Sequence, residues 1–270
     1  NVDLFTDQKN AHIYTDDHIF NKIYTKIEEV KNSKYDLVIL DSYSSRSIDV
    51  KYKIASTTSF IGMFGHYNGP EVNRVLFSFH QTNHLLGYIK SEDEINASAK
   101  ASMSISIQDQ EVVNKIGLTD NYIAIVLGGE WDYRTYNKWD EVTKGLIEKD
   151  QNINIVFIGS GNAKNTSKIL LNQFFDNNIF DCVDQFSFNQ TAQIINKAQM
   201  LLCCDGGLMH SANSVNTPVV PLFARLTPQM QLTNAINAFP LFDESDVNNI
   251  TVESVLKKYD EAVSFVDSHL

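Results

Sequence analysis

The second half of the chain contains four short apolar segments in which polar and apolar residues do not alternate. Strands of this kind are buried on both faces, which is typical of a parallel sheet covered by helices on each side. Helical patterns separate them, and right-handed crossovers then predict a doubly wound, Rossmann-like domain. The predicted strands are 122–127, 153–158, 200–204 and 219–223, with a shorter one at 181–183, and the predicted helices include 137–149, 166–175 and 208–214.

Three of the predicted strands end in glycines, at 128–129, 159–161 and 206–207. Glycine lets the backbone turn sharply and approach a ligand closely. Doubly wound sheets bind their ligands at the carboxyl ends of the strands, where these glycines lie. We therefore expect a ligand site at this edge of the sheet.

The first half shows a weaker pattern of the same type. Segments 2–6, 35–40 and 59–64 read as strands, and apolar residues spaced over 19–30 predict a helix. This suggests a second, similar domain. We predict an N-terminal domain over 1–115, a C-terminal domain over 116–250 and a C-terminal helix within 251–270, for which Thr251 is a candidate N-cap.

Charge and cysteine content narrow the class of protein. The 270 residues include 33 acidic and 22 basic side chains, a net charge of −11, which argues against a general nucleic-acid binder and a polybasic membrane anchor. No apolar run reaches the ~18 residues that a membrane span needs.

Three cysteines in a chain of this length fit a reducing, cytoplasmic compartment. The adjacent Cys203 and Cys204 should point to opposite faces of one strand as core residues.

The segment 204–210 (CDGGLMH) offers the strongest candidate site. A helix beginning after Gly206 and Gly207 would present free N–H groups and a positive dipole end, which suits a diphosphate. Asp205 could then bind a ligand hydroxyl, and His210 a phosphate or a sugar. The alternative is a tight strand-to-helix turn in which Asp205 is the N-cap and His210 packs in the core. Taken alone, the local sequence favours that structural alternative, because short motifs often match by chance.

Two further glycine turns carry polar side chains. Gly128 and Gly129 precede Arg134 and Lys138, whose cations could neutralise phosphate. An equally good interpretation is that this segment is the solvated start of a helix, anchored by its aromatic side chains. The turn at Gly159 has a short G-x-G pattern but lacks the full dinucleotide fingerprint, which counts against a nicotinamide dehydrogenase.

Other catalytic signatures are missing from the sequence. It contains no Walker A lysine, no H-E-x-x-H and no G-x-S-x-G. His80 and His84 have the i, i+4 spacing of a metal-binding pair if that segment is helical, although surface or groove polarity is the more common reason for such a pair. We therefore predict no metal and no cofactor.

The order of these elements resembles glycosyltransferase family 9, which includes the ADP-heptose:lipopolysaccharide heptosyltransferases. The resemblance runs from about residue 35 to the C-terminus and is strongest over 122–228. Its most specific part is 205–228 (DGGLMHSANSVNTPVVPLFARLTP), which follows the family pattern of an aspartate-glycine turn, a histidine, a small-residue helix, and an apolar strand before Thr-Pro. The strand 35–41 (YDLVILD) followed by Arg46, the turn 157–162 (FIGSGN), and the basic-plus-Trp stretch ending at Lys138-Trp139 are also similar to the family.

This resemblance implies an α/β, GT-B fold: two Rossmann-like doubly wound domains facing a central cleft, here with the N-terminal domain lacking its usual first strand. It also implies a metal-independent, inverting transfer of a sugar from a nucleoside-diphosphate donor held by the C-terminal domain. Arg134 or Lys138 would neutralise the diphosphate. The residues that would line the donor pocket are Gly128, Gly129, Gly159, Asp205, Gly206, Gly207, Leu208 and His210.

The sequence departs from the family pattern at two points. The family's opening strand and Gly-Asp turn, whose aspartate is the general base, have no counterpart here, and Asp41 is the one internal substitute. A turn-capping role for Asp41 is the alternative. The family often has a ribose-binding acid just after the second glycine turn, where this chain has 162–165 (NAKN). This departure leaves nucleotide sugars other than ADP-heptose open.

The function expected from the sequence is therefore transfer of a heptose or similar sugar to lipopolysaccharide or another surface glycan. The partners would be a nucleoside-diphosphate sugar and a glycan or lipid-linked glycan, with no nucleic acid and with transient inner-membrane contact. Two alternatives stay open: a nucleotide-sugar epimerase or hydrolase of the same fold, and a non-catalytic relative that binds nucleotide sugars.

Overall fold

A computed structural model describes residues 1–30, 34–40, 44–62, 73–119 and 121–268 of the chain. Contacts between Cα atoms divide it into two compact units, Asn1–Ala99 and Lys100–Leu270. The domain limits predicted from the sequence, 1–115, 116–250 and 251–270, stay a prediction. Residues 100–115 group with the second unit because Val113 packs in the same core as Ile194. Among the described residues, no helix combines the length and apolarity needed to cross a bilayer.

The described part of the first unit contains two pairs of parallel strands. In one pair β1 lies beside β2, and in the other β3 lies beside β4. The strands predicted at 2–6, 35–40 and 59–64 are thus confirmed in their described cores. The elements are β1 (Val2–Phe5), β2 (Phe20–Tyr24), α1 (Ile27–Val30), β3 (Val38–Leu40), α2 (Ser45–Ala55), β4 (Phe60–Gly62), α3 (Arg74–Leu85) and α4 (Glu92–Ser98).

The helix predicted over 19–30 is wrong for most of its length. Residues 20–24 form β2, whose Ile23 pairs with Leu4 of β1, and α1 takes up only the last four positions. The apolar spacing of this segment fits a helix and a strand about equally well over so few residues. Aromatic and β-branched side chains at Phe20, Ile23 and Tyr24 favour the strand, and pairing with β1 decides the outcome.

The second unit is a doubly wound domain built on one six-stranded parallel sheet. The strand order is β7-β6-β5-β8-β9-β10, which is the Rossmann order 3-2-1-4-5-6. This confirms the fold class predicted from the sequence. The elements are α5 (Ile107–Asn114), β5 (Ile123–Val126), α6 (Trp139–Lys149), β6 (Ile155–Ile158), α7 (Lys164–Gln173), β7 (Ile179–Asp181), α8 (Phe188–Lys197), β8 (Met200–Cys204), α9 (Gly207–Val215), β9 (Val219–Ala224), β10 (Leu241–Asp243) and α10 (Val252–Asp267).

The sheet is buried on both faces, as its lack of polar alternation predicts. Ile123 and Ile125 of β5 face the cluster that contains Trp139 of α6, whereas Ala124 faces the cluster that contains Ile194 of α8. Full burial of each large apolar side chain contributes roughly 1.5–3 kcal/mol. The two faces therefore fix the register of β5 and, with it, the positions of the turns at its carboxyl end.

The adjacent cysteines and one predicted cap take the positions expected of them. Cys204 lies in the α6-side cluster and Cys203 in the α8-side cluster, so the two thiols point to opposite faces of β8. Burial raises the pKa of the Cys204 thiol to about 12. Thr251 caps α10 by accepting the backbone N–H of Ser254. These residues therefore act in packing and capping.

Candidate functional site

The strand order of the second unit reverses between β5 and β8, whose carboxyl ends lie side by side. After β5, strands β6 and β7 extend the sheet on one side. The chain then returns to the other side of β5 with β8, and β9 and β10 extend the sheet there. Ligands of doubly wound sheets bind in the crevice at such a reversal. Gly128 and Gly129 follow β5, and Asp205 follows β8, so two of the three predicted glycine turns meet here.

The turn after β8 leaves open space at the start of α9. Gly206 is the N-cap residue of α9, and no side chain caps this helix. A Cβ atom on Gly206 would meet nothing within 4 Å, and one on Gly207 would meet only the ring of Phe188, at 3.9 Å. The first N–H groups of the nine-residue helix thus have room beside them for an anion.

Asp205 does not cap α9, so the structural alternative considered for this residue is wrong. Its carboxylate instead accepts a hydrogen bond from Arg134 Nη1 at 2.9 Å. The Asp205 side chain is 3% exposed and that of Arg134 17% exposed, and the exposed Glu130 lies 3.8 Å from Arg134 Nη2. Removing one member of a buried pair typically costs about 3–5 kcal/mol, because the other charge is left without compensation. Arg134 and Asp205 therefore hold each other in place.

The glycines after β5 position the turn that carries Arg134. Gly128 has a φ of +80°, which glycine adopts without strain. A Cβ atom on Gly129 would lie 2.5 Å from Thr135 Oγ1 and 2.6 Å from the carbonyl oxygen of Arg134. Only glycine lets the backbone fold back this closely. The 3₁₀ turn Asp132–Arg134 can then bring its arginine over to Asp205.

The turn after β6 packs against the turn after β5. Gly159 has a φ of +153°, and its Cβ atom would lie 2.5 Å from the carbonyl oxygen of Leu127. Asn162 Nδ2 donates to the carbonyl oxygen of Gly129 at 2.6 Å. Gly159 thus supports the site indirectly, by letting the turn after β6 pack closely against the turn after β5.

An acidic residue missed by the sequence analysis lies beside this turn. Asp184 follows β7 with a left-handed φ of +56°, and its Oδ2 lies 3.4 Å from the position of a Cβ atom on Gly161. It forms an ion pair with Lys164 at 2.6 Å. Asp184 lies outside 162–165, the stretch in which the family has its acid, because it follows β7 and not β6. The signal available in the sequence was its place just after a predicted strand.

His210 and Leu208 both lie in the first turn of α9. His210 is half-buried, and desolvation lowers the pKa of its imidazole, partly opposed by the nearby carboxylate of Asp205. It therefore enters the site as a neutral group that donates or accepts a hydrogen bond. Leu208 packs against the α8-side core cluster.

Lys138 is held away from the Arg134–Asp205 pair. Its Nζ donates to the carbonyl oxygens of Asn248, at 2.6 Å, and Ile250, at 3.3 Å. These carbonyls belong to the loop before α10. Two cations were candidates for phosphate neutralisation. The structure brings Arg134 to the carboxyl end of β8, whereas Lys138 binds the loop before α10.

Arg225, which the sequence analysis did not single out as a site residue, lies at the end of β9. Its guanidinium carbon is 3.7 Å from the centroid of the Tyr133 ring, and Arg134 lies against the same ring at 5.9 Å. The sequence did contain a signal, because the chain has only four arginines and this one lies two residues after a predicted strand.

The remaining predicted residues lie elsewhere. Asp41, the candidate base, falls outside the described residues. His80 and His84 do lie on one helix, α3, but no group of three potential metal ligands occurs in the part of the chain that the structure describes.

Comparison with known proteins identifies the family to which the chain belongs. The chain matches the model of glycosyltransferase family 9 (heptosyltransferase) over residues 65–258. It belongs to glycosyltransferase family 9. A family 9 glycosyltransferase from Veillonella parvula DSM 2008 superposes with a TM-score of 0.76 at 15% identity, covering 96% of this chain and 86% of that one. A comparison with curated protein sequences found no match.

Two Escherichia coli structures show the same family 9 architecture. ADP-heptose lipopolysaccharide heptosyltransferase II has a TM-score of 0.77 at 14% identity, covering 98% of this chain and 90% of its own. Heptosyltransferase WaaC with ADP has a TM-score of 0.72 at 14% identity, with coverage of 96% and 89%. These likenesses confirm the predicted GT-B fold.

Proposed function

We propose that this family 9 member is an inverting, metal-independent glycosyltransferase that moves a heptose or similar sugar from a nucleoside-diphosphate donor to a lipopolysaccharide or other surface glycan. One observation carries the proposal: the uncapped start of α9 at Gly206 and Gly207, open at the reversal of the sheet and bordered by the buried Arg134–Asp205 pair. Donor binding is also suggested by WaaC, whose structures were solved with ADP and with ADP-2-deoxy-2-fluoro heptose.

The chemistry of the transfer explains why these groups suit it. An acceptor hydroxyl, deprotonated by a base, attacks the anomeric carbon as the bond from that carbon to the phosphate oxygen breaks, which inverts the configuration. The nucleoside diphosphate leaves with additional negative charge. The N–H groups at the start of α9 can stabilise that charge, and Asp205 can accept a hydrogen bond from a sugar hydroxyl. Asp41 stays our candidate for the base.

The acceptor side of the proposal rests on the family alone. A glycan or lipid-linked glycan would approach from the N-terminal domain. We propose a cytoplasmic protein that contacts the inner membrane transiently, because a lipid-linked acceptor lies at that surface.

Calorimetric titration with ADP, UDP, GDP and CMP tests the donor site. One nucleotide should bind the wild type, and Gly207→Trp should abolish that binding by filling the space at the start of α9. Ile169→Trp, on an exposed position of α7, is the matched control and should bind as the wild type does. If folded wild-type protein binds none of the four nucleotides, the proposal fails.

Product analysis separates the transferase from its alternatives. The sugar nucleotide identified by titration is incubated with and without a glycan acceptor. Nucleoside diphosphate released only with the acceptor supports transfer. Free sugar or an isomerised donor formed without an acceptor would indicate a hydrolase or epimerase, and tight binding without turnover would indicate a non-catalytic relative.

A further inference from the structure

Arg225 follows β9, the strand that lies beside β8 in the sheet. In the sheet, Leu222 of β9 pairs with Cys204 of β8, so Arg225 follows its strand as Gly207 follows the neighbouring one. Adjacent strands lie about 4.8 Å apart. Arg225 therefore leaves the sheet beside the open turn after β8.

The backbone of Arg225 is held in a left-handed conformation, with a φ of +66°. This region is strained for a residue with a Cβ atom, and glycine is the residue that usually occupies it. Conformations of this kind persist where the surroundings fix them, and they concentrate at functional sites. A turn with no further role would therefore be more stable with glycine at this position.

The side chain of Arg225 is exposed and oriented by two contacts. Its guanidinium lies over the Tyr133 ring at 3.7 Å, and its Nε donates to the carbonyl oxygen of Ser245 at 3.2 Å. Among the residues described by the structure, neither Nη atom has a hydrogen-bond partner and no acid forms an ion pair with this arginine. The planar fork is therefore fixed at its base and free at its tip, which suits bidentate binding of phosphate.

The other cationic groups near these strand ends are already engaged. Arg134 is paired with Asp205, Lys164 with Asp184, and Lys138 donates to two carbonyl oxygens. Burial keeps His210 uncharged at neutral pH, since it lowers the pKa of the imidazole. A diphosphate entering the site would therefore meet compensated charges at each of these positions.

We propose that Arg225 is the anion-binding residue of this site and that its Nη atoms bind the diphosphate of the donor beside the start of α9. The assignment to a donor rests on the proposed function. The assignment to an anion rests on the free guanidinium fork, its stacking on Tyr133 and its left-handed backbone.

The test compares Arg225→Gly with Lys257→Ala in the full chain. Glycine suits the left-handed backbone, so Arg225→Gly removes the guanidinium without straining the turn. Lys257→Ala removes one exposed charge from α10 and controls for net charge. Inorganic pyrophosphate is titrated calorimetrically into each protein at low salt, and the four nucleotides are titrated in parallel. We expect Arg225→Gly to weaken pyrophosphate binding about tenfold or more, as loss of a charge-assisted contact should, and Lys257→Ala to leave it unchanged.

The two ligands distinguish failure of this inference from failure of the proposed function. Equal pyrophosphate affinity in Arg225→Gly and the wild type overturns the role of Arg225, even if a nucleotide binds. Pyrophosphate binding that is lost in Arg225→Gly, with no nucleotide bound by the wild type, keeps the anion site and overturns the donor assignment. A wild type that binds neither ligand overturns both.

Discussion

The guanidinium of Arg134 donates to the carboxylate of Asp205 across the reversal of the six-stranded sheet, with 2.9 Å between Nη1 and Oδ2. The pair joins the turn after β5 to the turn after β8. Because both side chains are largely buried, their interaction should exceed that of a surface ion pair, which is worth about 0–1 kcal/mol.

A double-mutant cycle measures this coupling. We expect Arg134→Met and Asp205→Asn to show an interaction energy of about 2 kcal/mol in urea unfolding. Both tryptophans of the chain lie in the second unit, so their fluorescence follows the relevant unfolding transition. The cycle on Lys149 and Asp260, an exposed pair, is the control and should give less than about 1 kcal/mol. Equal coupling in the two cycles would contradict the prediction.

Lys138 should stabilise the fold without contributing to ligand binding. Its ammonium group satisfies two carbonyl oxygens before α10, so Lys138→Met should lower the free energy of unfolding by about 1–3 kcal/mol. Nucleotide affinity in calorimetry should stay within twofold of the wild type. Arg134→Met is the comparison and should weaken binding strongly, because it leaves the buried carboxylate of Asp205 without its partner beside the anionic ligand. A large loss of affinity in Lys138→Met would instead place this lysine in the donor site.

Two glycine-to-alanine substitutions should separate support of the site from ligand binding. Gly159→Ala forces a Cβ atom to 2.5 Å from the carbonyl oxygen of Leu127 at a positive φ, and should cost about 2 kcal/mol of stability or more. Gly206→Ala meets no atom within 4 Å and should unfold at the wild-type urea concentration. Its methyl group should nevertheless weaken nucleotide binding in calorimetry. Loss of stability in Gly206→Ala would show that this space is filled.

His210 should make the stability of the second unit depend on pH. Burial lowers the pKa of the folded imidazole, while the unfolded chain takes up a proton near the ordinary value of 6.5. The resulting stability is complete above about pH 6.5 and is lost as the pH falls from there towards the folded pKa. Urea unfolding at pH 7.5, 6.5 and 5.5 should show this loss, and His210→Gln should reduce it. A pH dependence in His210→Gln equal to that of the wild type would refute the assignment.

Much of the second unit could be predicted because burial on both faces leaves a plain pattern in the sequence. The strand predicted at 200–204 coincides with β8, and the other three long predicted strands contain or closely overlap β5, β6 and β9. Strands at the edges of the sheet were harder to predict: β7 begins and ends two residues earlier than the predicted 181–183, and β10 was not predicted. Three residues are too few to show a period, so pairing with a neighbour decides such strands.

The candidate site could be predicted in its glycines but not in its side-chain partners. Turns after apolar strands can be found along the chain, which identified Gly128, Gly159 and Gly206. The pairing of Arg134 with Asp205 joins residues far apart in sequence, and the local sequence taken alone favoured the N-cap interpretation of Asp205. The partners of Lys138 could not be predicted either, because nothing in the sequence around Trp139 indicates the carbonyl groups of Asn248 and Ile250 to which this lysine donates.

The outer strands of the six-stranded sheet, β7 and β10, are only three residues long. A strand at the edge of a sheet exposes unpaired backbone groups that can recruit another chain, and brevity is one of the ways in which proteins limit this. Each border of the sheet is therefore a poor template for strand addition. We expect concentrated protein to resist edge-to-edge aggregation, even though its central strands are almost wholly apolar.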